Sequence, residues 1–505
     1  MSTPNVKKII SFFSGKTDLL FLLLLAGFLA IRIIEVAFYN KVTAADAVFI
    51  SYARNILQGR LAIDTHGDFL GFSSYYFSYP LLHPFLMAVV FKIGGISYVT
   101  AKVVPVLFAG LCILTVYLFC KRYIGTVEAV LISALLAFDH LFFSFGAICR
   151  PEMTTLFFFT MAAITYFKGE ENNILALIVL SGILTGLAFL SSLNALWLVI
   201  AFFVFQIASG KILRQSKKFW AYLLSFSVCA APYYLWIFLN STRRQMFLEQ
   251  IFINSSAQEG FSLPFLVKKL LNPLADLYLM LSEFGSIYPL ILAATLVFLA
   301  FNLKKFRYLF LVLITPLFML IINERAPHYL LITMPLCYIS FGFVLQYIRQ
   351  SSVKLFLRSR IRLVGALLGI FFLGNVLLGL NTALAKPPLA MDRQYYQQVF
   401  EKYTEENSHI VTDASLLLSA TGGRKIYNLA LLTWERWRKV FTYEDIVAKI
   451  DPDYIILTES MLKRSAQEDK QNKLFQELLG QEFKMEQELV HPQYGTLWIY
   501  RRQQR

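Results

Sequence analysis

Three short polar stretches stand at the edges of long apolar runs, and their residue types are those of acid–base and phosphate chemistry. Asp46 lies in Ala44-Ala45-Asp46-Ala47, and Glu152 in Cys149-Arg150-Pro151-Glu152. A carboxylate can take a proton from an attacking hydroxyl, and a neighbouring guanidinium can bind phosphoryl oxygens in a bidentate way. The third stretch, Asn323-Glu324-Arg325-Ala326-Pro327-His328-Tyr329, adds a carboxylate, a cation and a titratable imidazole. Each has a plain structural reading beside the chemical one. Asp46 suits a helix N-cap, Pro151 and Glu152 suit a first helical turn, and Arg325 and His328 suit lipid headgroups. Asp64-Thr65-His66-Gly67-Asp68 holds metal-ligand types, but such loop clusters are usually turns. A divalent metal is left open, and no cofactor is assigned.

The elements that would hold these residues are membrane helices. The 505 residues are 57% hydrophobic and 16% aromatic, with the apolar residues in blocks that approach the length of a spanning helix. Backbone polar groups in lipid must pair internally, so the blocks are helices. Spans are expected near 18–38, 101–120, 126–146, 152–167, 173–191, 194–209, 219–239, 286–302, 307–322, 329–347 and 363–382, about eleven in all. The net charge of +15 comes from basic residues between the apolar runs, so it orients loops and calls for no nucleic acid. The five cysteines sit in or beside apolar segments without a pairing pattern. Lys7, Lys8 and Lys16 precede an apolar run that reads as a retained first helix, with a cytoplasmic N-terminus.

Residues 80–96 are apolar enough to span but hold His83, Pro84, Lys92 and two glycines. A helix lying in the interface keeps every basic cluster on one side, and that reading is favoured over a span. The outer side then carries the loop 39–100, the short loop at Arg150, a loop from about 240 to 285, the stretch at 323–328, and the tail. Within the first loop, Asp46–Leu57 has the pattern of an amphipathic surface helix. The tail reads as a small soluble α/β domain over 383–505, with strands at Ser408–Thr412, Lys425–Leu429, Tyr454–Leu457 and Thr496–Tyr500, and helical stretches at Tyr443–Ile450 and Ser465–Leu479.

These features together resemble the GT-C class of membrane glycosyltransferases, among them bacterial relatives of the protein O-mannosyltransferases and of the lipid A aminoarabinose transferase. The family opens its first outer loop with Asp, then a Y-x-x-x-A-R-N-like helix; here Asp46 leads to Tyr52-Ala53-Arg54-Asn55. Tyr79-Pro80-Leu81-Leu82-His83-Pro84 stands where the family shows a Tyr-Pro-Pro-Leu-like turn, and Arg150-Pro151-Glu152 matches its R-P-E. His328-Tyr329-Leu330-Leu331 leading to Met334-Pro335 matches a late basic-Tyr-Leu segment. The likeness covers about residues 15–350, and Ala47 departs from it where many relatives carry a second acidic residue.

The resemblance implies a catalytic unit over 1–382 in a bacterial plasma membrane, with the tail domain extracytoplasmic. It implies a sugar donor on a polyprenyl phosphate, delivered by membrane lipid, and a lipid, polysaccharide or protein acceptor. Asp46 is then the base, with Glu152 sharing or orienting; Arg150, Arg325 and His328 meet the phosphate, with Arg243 and Arg244 as weaker candidates. Arg54, Tyr75, Tyr76, Tyr79, His83, Glu324 and Tyr329 would line a vestibule. The competing readings are a transporter or lipid flippase, which would place its charges mid-membrane, and a polysaccharide ligase or polymerase with a similar donor.

Overall fold

A computed structural model describes residues 15–39, 43–65, 72–77, 79–208, 216–254, 288–317, 331–350, 393–412, 414–428, 450–459, 479–491 and 495–503, together with Ser286 and a few positions between 373 and 381. Its helices are α1 (Lys16–Ile34), α2 (Ala44–Leu57), α3 (Leu82–Gly94), α4 (Tyr98–Tyr123), α5 (Thr126–Ala137), α6 (His140–Phe145), α7 (Glu152–Glu171) and α8 (Leu175–Phe189). They continue with α9 (Leu196–Ala208), α10 (Ser216–Phe238), α11 (Ser241–Asn254), α12 (Tyr288–Phe301), α13 (Leu303–Leu317), α14 (Met334–Gln350) and α15 (Arg393–Tyr403). Among the described residues, Lys16–Ala37, Tyr98–Tyr123 and Lys217–Phe238 are long and apolar enough to cross a membrane, and several shorter apolar helices accompany them.

Ion pairs and hydrogen bonds collect the basic residues at one end of the bundle. Lys121 Nζ lies 2.6 Å from Asp18 Oδ1, joining the end of α4 to the start of α1. Tyr123 donates to Glu171 at 3.2 Å, and Lys218 pairs with Glu170 at 3.5 Å, adding the end of α7 and the start of α10. Gln346, near the end of α14, donates to the carbonyls of Tyr123 and Ile124 at 3.4 and 3.3 Å. Small residues let helices approach closely elsewhere. Gly182 and Gly186 of α8, four apart, face α10, and a Cβ on Gly186 would come within 2.6 Å of Cys229 Cβ.

One expected span is broken. Residues 126–146 form α5 and α6 instead of a single helix, because the Asp139 carboxylate accepts the Leu141 amide at 3.0 Å and starts a new helix there. The expected span at 363–382 lies almost wholly outside the described residues, as do the helical stretches expected in 443–450 and 465–479.

Among the described residues five strands follow: β1 (His409–Thr412), β2 (Lys425–Asn428), β3 (Tyr454–Thr458), β4 (Phe483–His491) and β5 (Gly495–Arg502). Their order is β2-β1-β3-β5-β4, with β1 parallel to β2 and β3, and β5 antiparallel to β3 and β4. Tyr454–Thr458 is buried throughout, as its continuous apolar run demands of a central strand. β4 was not legible in the sequence. It is an edge strand that exposes Lys484, Glu486 and Glu488, a charged rim that discourages pairing with a further strand.

Packing of the sheet changes the reading of α2, which sequence placed on the membrane surface. Phe49, Ile50 and Ala53 face the main helical core. Tyr52 joins Val411, Tyr427, Ile455 and Leu457 of the sheet in a second cluster, and Ala47 joins Phe400, Ile410 and Leu417 in a third. The helix is therefore sandwiched between bundle and sheet, with both faces covered.

Candidate active site

Asp46 is the third residue of α2 and fully buried. The N-cap is Thr43 rather than Asp46: the Thr43 hydroxyl accepts the Asp46 amide at 3.2 Å, and Asp46 Oδ2 accepts the Thr43 amide at 2.6 Å. The remaining oxygen does something a cap does not require. Oδ1 accepts the backbone amide of Cys149 at 2.6 Å, across 103 residues of chain. The loop that carries Arg150 and Glu152 is thus held directly against the start of α2.

The Cys149 peptide is gripped from its other side as well. His83 Nε2 donates to the Cys149 carbonyl at 3.3 Å, and Nδ1 shares a hydrogen bond with the Thr154 hydroxyl at 2.9 Å. Burial pushes the His83 imidazole down to about 4, with the Cys149 carbonyl opposing the shift. His83 is fully buried, so it ties α3 to the loop and does not line an open vestibule. Burial pushes the Cys149 thiol up and Asp46 adds to this, while Lys102, 4% exposed near the start of α4, opposes it. Such a thiol is a poor nucleophile.

Asp46 and His83 both bond the Cys149 peptide, so the starts of α2 and α3 meet at this loop. The 13 residues of α3 rise about 20 Å, short of the roughly 30 Å hydrocarbon layer.

Arg150 and Glu152 form a compact pair, with Nε and Nη2 of Arg150 at 2.8 and 2.7 Å from Glu152 Oε1. Arg150 Nη2 also donates to the Tyr79 hydroxyl at 3.3 Å. Glu152 and Tyr79 line an open cleft whose other walls include Thr155, Ser192, Asn194, Leu331 and Ile332. Asp46 does not line this cleft; its bond goes to the amide of Cys149, the residue before Arg150.

The other expected residues divide. Arg54 Nη2 donates to Asp64 Oδ2 at 2.7 Å, and Asn55 donates to the same oxygen at 3.1 Å, which pins the first loop onto α2. That engagement gives Asp64 a structural role; His66 and Asp68 lie outside the described residues, among which no group of three metal-ligating side chains occurs. Tyr76 is buried against Tyr52 and Phe72 and so packs the core. Tyr75 stays partly exposed, its ring 5.8 Å from Trp236. The Arg243 guanidinium lies 4.3 Å over Trp236, an aromatic contact. Glu324, Arg325, His328 and Tyr329 lie outside the described residues. Sequence reading passed over Lys102, Ser192 and Asn194. A lysine in the first turn of an apolar span reads as snorkelling, and Ser191-Ser192-Leu193-Asn194 reads as a break between helices.

Residues 78–236, which include Glu152 but not Asp46, match the family model for dolichyl-phosphate-mannose-protein mannosyltransferase. No curated protein matches the sequence. Among solved structures, the fold is similar to that of ArnT from Cupriavidus metallidurans bound to undecaprenyl phosphate, at 13% identity and a TM-score of 0.63, covering 96% of this chain and 98% of that one. The apo state of the same protein gives 14% and 0.61, over 95% and 97% of the two chains. The archaeal oligosaccharyltransferase AglB from Archaeoglobus fulgidus, in complex with an inhibitory peptide and a dolichol-phosphate, gives 14% and 0.54, over 87% of this chain and 69% of that one.

Proposed function

We infer that this chain is a membrane glycosyltransferase of the GT-C class, related to the O-mannosyltransferases and to ArnT, that moves a sugar from a polyprenyl-phosphate donor to an acceptor. The observation that carries this reading at the level of residues is the bond from the Cys149 amide to Asp46, which holds the Arg150–Glu152 loop, beside the cleft that Glu152 lines, against the start of α2. A transporter's charges would lie mid-membrane on broken helices.

The chemistry follows from the groups. The acceptor hydroxyl attacks the anomeric carbon, the bond from that carbon to the phosphate oxygen breaks, and its electron pair leaves with the phosphate. Configuration inverts. Asp46 is our choice for the carboxylate that takes the hydroxyl proton, with Glu152 orienting the acceptor in the cleft. Because Asp46 is buried, the Cys149–Asp46 bond must give way as the acceptor enters. Arg150 meets the charge on the departing phosphate, joined by Arg325 and His328.

The basic end supports a cytoplasmic orientation for Lys121, Arg122, Lys168 and Lys218. The cleft and the sheet then face outward, with residues 1–382 as the catalytic unit and 383–505 as an extracytoplasmic α/β domain. Gln346 lies at the basic end, whereas Tyr396 and Phe400 pack with Ala47 at the other. The chain must change ends between them, which supports an eleventh crossing.

Deleting the protein from a bacterial strain should remove one sugar from an envelope glycan and accumulate the matching polyprenyl-phosphate sugar, both read by mass spectrometry. An unchanged glycan profile with altered solute uptake would favour a transporter.

A further inference from the structure

At the basic end of the bundle, two cations stand beside an apolar groove that no step of sugar transfer uses. The groove lies between α4, α7, α13 and α14, and its lining includes Phe119, Ile164, Phe167, Leu309, Val312 and Phe343. Tyr308 also borders it, but its hydroxyl donates to the Ala163 carbonyl at 2.6 Å, so the walls present carbon alone. Val312 is buried, whereas Phe167, Leu309 and Phe343 are half-buried and form the rim. Such walls offer nothing to a polar guest and suit a hydrocarbon chain.

Each lining helix reaches the basic end within about a turn of the groove. Phe119 stands two residues before Lys121, Phe167 is next to Lys168, and Phe343 stands three before Gln346. Helix α13 enters with Lys304, Lys305 and Arg307 just ahead of Tyr308. The ring of Phe119 lies 4.7 Å from that of Tyr123 and 6.2 Å from that of Phe167, and Tyr123 lies 6.1 Å from Phe167. Lys168 Nζ is 5.9 Å from the Phe119 ring and 5.8 Å from the Tyr123 ring. The Arg122 guanidinium is 5.9 Å from the same Tyr123 ring, so both cations share the mouth of the groove.

Their charge is not settled as that of their neighbours is. Lys121 pairs with Asp18 and Lys218 with Glu170, but among the described residues neither Arg122 nor Lys168 forms an ion pair. Lys168 meets Arg122 as a like charge and Glu171 as an opposite one. Glu171 is exposed and already accepts the Tyr123 hydroxyl at 3.2 Å. An anion placed between Arg122 and Lys168 would relieve their repulsion and bond to both.

Paired cations and a dry groove beside them match the two halves of a lipid. We propose that this is a binding site for an anionic diacyl phospholipid, with its phosphate between Arg122 and Lys168 and one acyl chain in the groove. Glu152 and Lys168 lie at opposite ends of α7, about 24 Å apart along its axis. A polyprenyl donor with its phosphate at the cleft therefore leaves these cations to another lipid. With the basic end cytoplasmic, that lipid belongs to the inner leaflet. The site stands whichever chemistry the cleft performs.

Native mass spectrometry of the full-length protein in detergent tests it, with phosphatidylglycerol, phosphatidylcholine of the same chains and undecaprenyl phosphate as probes. Phosphatidylglycerol should bind about tenfold more tightly than phosphatidylcholine, the size of effect that two cations near a headgroup supply. Arg122→Gln combined with Lys168→Gln should abolish that preference without changing the thermal unfolding of the delipidated protein, and Lys168→Arg alone should keep it. Leu309→Trp, which fills the groove from its rim, should weaken phosphatidylglycerol about tenfold with both cations in place. Phosphatidylglycerol and undecaprenyl phosphate should bind to one molecule together. Equal binding of the two phospholipids, a preference that the double variant retains, full affinity in Leu309→Trp, or displacement of phosphatidylglycerol by equimolar undecaprenyl phosphate would each overturn the site.

Discussion

Asp46→Asn is expected to lower sugar transfer by about 10³-fold, within the range that a positioned general base contributes. The loss should fall on kcat, with the KM for the lipid donor little changed, because the phosphate contact proposed for Arg150 is untouched. Asparagine keeps the shape and one acceptor, so one of the two backbone amides of Thr43 and Cys149 can still be met. The lost hydrogen bond costs about 1–3 kcal/mol, and the variant should fold. Steady-state kinetics on purified protein, beside Glu152→Gln, checks the assignment. Near-normal turnover in Asp46→Asn with a collapse in Glu152→Gln would move the base role to the residue that faces the cleft.

The second large effect concerns Tyr52, which is fully buried, donates to the Tyr76 carbonyl at 3.0 Å and shares one apolar cluster with the sheet. Tyr52→Ala should destabilise the packing of the sheet on α2 by about 3–5 kcal/mol, as removal of a buried aromatic does. Residues 393–505 should become sensitive to limited proteolysis, and transfer should fall with them, because α2 carries Asp46. Tyr52→Phe keeps the ring and loses one hydrogen bond, so about 1 kcal/mol is expected. Unchanged proteolysis in Tyr52→Ala would show that the sheet does not depend on α2 for its position.

Legibility of the fold in the sequence followed the physics of each segment. Long apolar runs can be only helices in lipid, and Tyr454-Ile455-Ile456-Leu457 can hardly be anything but a buried strand. The polar edge strand Phe483–His491 carries no such signal, because most of its side chains are exposed or half-exposed. Asp139 broke a span that hydropathy alone reads as continuous.

For the site, Asp46 and Glu152 stood out because carboxylates are costly at a bundle mouth. Their link through the Cys149 backbone could not be read, since any residue supplies an amide. His83 was expected in the vestibule because it falls in the Tyr79–Pro84 segment that resembles the family's turn; its burial, with both ring nitrogens bonded, is a tertiary fact. Ser192 and Asn194 gained meaning only from the wall they face.

One face of the membrane must hold Asp46, Glu152 and the sheet together, with the basic end on the other. Labelling intact spheroplasts with a membrane-impermeant maleimide tests this directly, using single cysteines in a Cys229→Ser background, where the remaining native cysteines are buried. Gln58→Cys in the first loop and Glu488→Cys in the sheet are at exposed positions and should label from outside. Asn172→Cys, exposed beyond the end of α7, should label only after the membrane is opened. Labelling of Gln58→Cys and Glu488→Cys from different sides, or of Asn172→Cys together with them, would contradict a shared site on one face.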